Sequence, residues 1–66
     1  MLIKINGKDE SIDKQKTLLG LIEDKGLNCE RIVVEYNYRV VQRGEWQKII
    51  LGENDNLEIV SFVGGG

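Results

Sequence analysis

The 66-residue chain has no histidine and no proline, and it has a single cysteine, Cys29. Without histidine it lacks the commonest general base near neutral pH and the commonest protein metal ligand. Without proline it has no fixed backbone kink and no slow X-Pro isomerisation. One cysteine excludes an internal disulfide, and a reducing compartment, the cytoplasm, is the simpler expectation. No apolar run approaches the roughly 20 residues that a membrane span requires, and no basic-then-apolar leader pattern opens the chain. The net charge is −2, and Lys and Arg are scattered rather than gathered in a stripe, so neither a nucleic-acid surface nor a membrane surface is expected. The length allows one domain, which buries only about 60% of its unfolded surface and has little material for an enclosed catalytic pocket.

What is present is a sequence of short, well-punctuated elements. Leu2-Ile3-Lys4-Ile5-Asn6 alternates apolar and polar residues, the pattern of a half-buried strand. Asn6-Gly7 is a strong hairpin signal, because both residues tolerate positive φ. Lys8 to Asp13 returns as a second strand, charged as an edge should be, with Ile12 turned inward. Thr17 is a candidate N-cap for a helix over about 18–25, with Leu18, Leu21 and Ile22 on one face, Leu19 flanking them, and Gly26 placed to end it. Ile32 to Tyr36 has the β-branched and aromatic composition of a central strand. Asn37-Tyr38 reads as a turn and Arg39 to Val41 as an extended piece. Arg43 to Trp46 reads as a loop or single helical turn, and Ile49 to Leu51 as a short edge strand. Residues 52–56 form a turn cluster before a last strand, Leu57 to Phe62.

Strand, strand, helix, then further strands is the order of an α+β roll, with one helix across a mixed sheet of about five strands. That arrangement buries Ile3, Ile5, Leu18, Leu21, Ile22, Val34, Leu57 and Ile59 together. It is the β-grasp, or ubiquitin-like, order, in which the first and last strands lie side by side. Residues 1–63 are expected to form the domain and 64–66 a flexible glycine tail. Three glycines cannot contribute to a core and lose the most entropy on ordering. They are suited to thread a narrow channel in a partner and to present a carboxylate at Gly66.

On these residues the chain resembles the ThiS sulfur-carrier family of thiamine biosynthesis, over essentially its whole length. Ile5-Asn6-Gly7 is similar to the first hairpin of that family, and Val34-Glu35-Tyr36-Asn37 to its central strand. Arg43-Gly44-Glu45-Trp46 is similar to its arginine-x-x-tryptophan segment. Gly52-Glu53-Asn54-Asp55, the strand Leu57 to Val60 and the end Phe62-Val63-Gly64-Gly65-Gly66 are similar to its final turn, strand and tail. Tyr38 departs from the pattern, which more often has glycine in a tight Asn-Gly turn. The resemblance implies a carrier rather than an enzyme. A ThiF-type adenylating enzyme activates Gly66, sulfur from a donor protein's persulfide replaces the adenylate, and the thiocarboxylate serves thiazole synthase. ATP and Mg²⁺ then belong to the partner, and this chain, a monomer on its own, binds no cofactor or metal. Gly64 and Gly65 thread the partner's active site.

If Leu57 and Ile59 enter the core, alternation places Glu58, Val60 and Phe62 on the other face of the last strand as a docking patch. The alternative reading has Phe62 folded back over the sheet edge as core; a serine there separates the two roles. Cys29 reads as structural, Trp46 as a cap on the sheet edge, and Glu23, Asp24, Glu53 and Asp55 as solvated carboxylates rather than metal ligands. Other readings with the same tail are the small subunit of molybdopterin synthase, which is usually longer, and carriers for tRNA thiolation or cysteine synthesis. A non-catalytic ubiquitin-like interaction module is the reading from another class; a chain continuing past Gly66 favours it, since a blocked carboxylate cannot be adenylated.

Overall fold

The computed structural model describes residues 1–62. Strands β1 (Leu2–Ile5), β2 (Lys8–Ser11), β3 (Ile32–Tyr36), β4 (Arg39–Val41) and β5 (Asn56–Ser61) form one sheet, and helix α1 (Leu18–Asp24) follows the first hairpin. The strand order is β2-β1-β5-β3-β4. The first and last strands, β1 and β5, run parallel, while the other neighbours are antiparallel. Two 3-10 segments, Cys29–Arg31 and Arg43–Lys48, complete the described elements. None of its helices is long and apolar enough to cross a membrane among the described residues.

Both hairpins are closed by residues in the left-handed region. Asn6 and Gly7 have φ of 52° and 82°, and Asn37 and Tyr38 have φ of 49° and 69°. Two consecutive positive φ values define the type I′ geometry, whose twist matches that of the flanking strands. The departure at Tyr38 therefore leaves the turn type unchanged: a tyrosine adopts the conformation that glycine adopts more readily.

The helix is short and heavily capped. Thr17 has extended backbone and its Oγ1 accepts from Gly20 N at 3.0 Å. At the other end Gly26 takes φ of 69°, Gly26 N donates to Glu23 O and Leu27 N donates to Ile22 O. That pair of bonds is a Schellman closure. Seven residues cannot hold a helix in water alone, so burial of Leu18, Leu21 and Ile22 against the sheet supplies the rest. They pack with Ile3, Ile5, Ile12, Ile32, Val34, Val41, Trp46, Leu51, Leu57 and Ile59.

Some expected boundaries shift. β2 stops at Ser11 rather than Asp13, although Ile12 is buried as expected. Ile49 to Leu51 is not an edge strand of the sheet. Ile49 O accepts from Leu18 N and Leu51 N donates to Lys16 O, so this piece pairs with the segment entering α1. The contact satisfies an N–H at the helix start that has no partner within the helix. Trp46 caps nothing at the surface: it lies in the core, 2% exposed, and its Nε1 has no hydrogen-bond partner among the described residues.

The turn before β5 is locked by Asp55. Its Oδ2 accepts from Gly52 N at 2.7 Å and from the Tyr36 hydroxyl at 2.9 Å, and its Oδ1 accepts from Asn37 Nδ2 at 3.1 Å. Burial, the Asp55 hydrogen bond and the Asp55 charge all raise the Tyr36 hydroxyl above its usual pKa of 10.0.

Candidate functional site

The site is built from the central strand outward. In β5, Leu57 and Ile59 are buried under the helix, so Glu58, Val60 and Phe62 face the opposite side of the sheet. No element among the described residues covers that side. Val60 is 59% exposed and Phe62 46% exposed, so Phe62 does not fold back into the core. Phe62 N donates to Arg31 O at 2.9 Å, which ties the end of β5 to the 3-10 turn after the helix.

Register brings further residues to the same face. Val60 stands opposite Val33 of β3, and Glu58 stands opposite Glu35, itself opposite Val40 of β4. Val33 and Val40 are exposed, and Glu35 and Glu58 are half-buried. The open face thus carries Val33, Val40, Val60 and Phe62 around two glutamates. Val33 and Val40 were not singled out from sequence, though the alternation buried Ile32, exposed Val33, buried Val34 was available to do so.

The tail residues Val63, Gly64, Gly65 and Gly66 lie outside the described residues. The other weighed residues are structural where they are described. Cys29 opens its 3-10 turn half-buried and packs against the core. Asp24 pairs with Lys16, Glu53 accepts from Leu2 N, and Asp55 holds its turn. Among the described residues no cluster of three His, Cys, Asp or Glu side chains is placed to hold a metal.

The ThiS family matches residues 3–66. A thiazole synthase from Magnetococcus marinus is 39% identical over 66 residues, all of this chain but 20% of that protein. A sulfur carrier protein ThiS from Bacillus subtilis is 32% identical over 66 residues, covering 98% of this chain and 100% of that protein. The crystal structure of a thiamine biosynthesis protein, ThiS, from Geobacter metallireducens superposes with a TM-score of 0.86 at 26% identity, covering both chains fully. The chain spans about a fifth of the length of the two thiazole synthases it matches. Sheet order, single capped helix and solved neighbour define a β-grasp domain of the ubiquitin-like kind. Within that class, the chain belongs to the ThiS family.

Proposed function

We propose that this chain is a sulfur carrier of thiamine biosynthesis and that the carboxylate of Gly66 carries the sulfur. The observation that supports this most directly is the match of the ThiS family from residue 3 through the glycines at 64–66. The full-length likeness to the B. subtilis sulfur carrier agrees with it.

The chemistry follows from what a carboxylate lacks. It is anionic and its leaving group would be oxide, so it must be activated. In this reading a ThiF-type enzyme uses ATP to make an acyl-adenylate at Gly66, with loss of pyrophosphate. The terminal sulfur of a donor protein's persulfide attacks the carbonyl carbon and AMP leaves; cleavage of the remaining S–S bond by a thiol yields the thiocarboxylate. That nucleophile delivers sulfur to thiazole synthase. Gly64 and Gly65 give the tail the width of bare backbone. Glu58, Val60 and Phe62 form the docking patch beside it. The chain is a co-substrate, and ATP and Mg²⁺ are bound by the activating enzyme, in the cytoplasm.

The test is the intact mass of the chain before and after incubation with ATP, a ThiF-type enzyme and a sulfur source. Exchange of one oxygen for one sulfur, mapped to Gly66, is expected. No change, with the domain folded and the enzyme active on a control carrier, overturns the reading.

A further inference from the structure

Glu35 and Glu58 are direct cross-strand partners in the middle of the open face. The backbone N–H and C=O of Ile59 both point toward β1, where the Asn6 side chain meets them. Glu58 therefore turns its own toward β3, which makes Glu35 and Glu58 a hydrogen-bonded pair with Cα atoms about 5.5 Å apart. Like charges directly opposite one another destabilise a sheet. The four ion pairs among the described residues are Lys4–Asp9, Lys16–Asp24, Lys25–Glu10 and Arg39–Glu45. None involves Glu35 or Glu58, and Lys4, a cation of the same face, is engaged by Asp9. The fold gains nothing from this pair, which sits within a ring of exposed apolar side chains: Val33, Val40, Val60 and Phe62.

We propose that the open sheet face binds thiazole synthase by taking an arginine of that enzyme between Glu35 and Glu58, with the apolar ring closing over its surroundings. The proposal rests on the carrier reading above. A guanidinium suits the pair better than an ammonium, because its planar fork offers paired N–H groups along two edges and can meet a carboxylate bidentately on each, whereas an ammonium has only three donors to share between them. The apolar ring excludes water from the contact, and an arginine centred in such a ring is the usual composition of a strong binding spot. The choice of thiazole synthase follows from the relatives. In the Magnetococcus marinus and Paramagnetospirillum magneticum proteins, a segment like this whole chain belongs to the same polypeptide as the thiazole synthase. There the tether supplies the effective concentration; a carrier supplied separately must find its affinity in its own surface.

The experiment measures binding of the full chain to purified thiazole synthase by titration calorimetry, at low and high salt, for wild type and for Glu35→Gln/Glu58→Gln. Thermal melting of the free chains runs alongside. The variant is expected to melt at or above wild type, since the repulsion is gone. Its dissociation constant is expected to rise about tenfold or more, the loss of roughly one well-made charged contact. The salt dependence seen with wild type should largely vanish. An unchanged dissociation constant overturns the proposal, as does a wild-type chain that does not bind thiazole synthase. In a parallel titration with a ThiF-type activating enzyme, a loss of binding confined to that enzyme overturns the choice of partner. The carrier reading is judged separately by the sulfur exchange at Gly66, which a failed binding experiment leaves intact.

Discussion

The carboxamide of Asn6 pairs with both backbone groups of Ile59: Nδ2 donates to Ile59 O at 3.1 Å, and Oδ1 accepts from Ile59 N at 2.7 Å. The parallel ladder between β1 and β5 has only Lys4 opposite Asn56 and Ile5 opposite Leu57, after which β1 turns away. The side chain therefore stands in for the strand residue that the hairpin removes. Asn6→Gly keeps the left-handed φ of 52° but deletes both bonds, and should cost about 1–2 kcal/mol. Asn6→Ala should cost about 1 kcal/mol more, because a Cβ is strained at that φ. Urea unfolding of the two variants separates bonding from strain. A neutral Asn6→Gly would show that Ile59 needs no partner there.

Tyr38 makes the opposite prediction. It is 81% exposed at φ of 69°, so the tyrosine pays the left-handed strain without packing in return. Tyr38→Gly should stabilise the domain by about 0.5–1 kcal/mol, the relief of strain minus the added freedom of glycine in the unfolded chain. The readout is a higher urea midpoint at an unchanged m-value.

The Tyr36 hydroxyl gives a pH dependence whose sign is set by its raised pKa. The folded state holds the phenolic proton more tightly than the unfolded chain does. The resulting stability is fully present below the unfolded value near 10.0 and is lost as the pH rises through that value toward the folded one. Unfolding free energy measured from pH 8 to pH 11.5 should fall more steeply for wild type than for Tyr36→Phe. Parallel curves would mean that neither burial nor Asp55 raises the Tyr36 pKa in solution.

Much of this fold was legible because its local signals agree. Asn6-Gly7, the Thr17 cap, Gly26 and the β-branched run from Ile32 each specify one conformation, and their order leaves few topologies. What was not legible depended on long-range pairing. The segment Ile49 to Leu51 is apolar enough for a strand, but its hydrogen bonds go to Lys16 and Leu18, a choice made by tertiary position. Trp46 is buried because its 3-10 turn packs on α1, which no periodicity within residues 43–48 announces. On the open face, Glu58, Val60 and Phe62 followed from alternation alone. The opposition of Glu58 to Glu35 needed the register of β3 against β5.

Phe62 and Gly65 should fail in different ways. Phe62 is 46% exposed on the open face, so Phe62→Ser removes apolar surface that the fold buries only in part. It should lose only about 1 kcal/mol of stability, whereas Ile59→Ser, in the core, should cost several times more. If Phe62 belongs to the docking patch, the KM for activation rises about tenfold or more while kcat changes little, as for a contact made equally before and during reaction. In the proposed reading Gly65 acts at the other end of the encounter. A valine there adds branched bulk next to the carbonyl to be activated, so the chain still docks but the carboxylate does not reach the nucleotide. Gly65→Val should keep its affinity for the activating enzyme and lose kcat. Measured together, the two variants separate docking from threading. Normal thiocarboxylation of Gly65→Val would remove the case for a narrow channel, and a large loss of stability in Phe62→Ser would return that residue to the core.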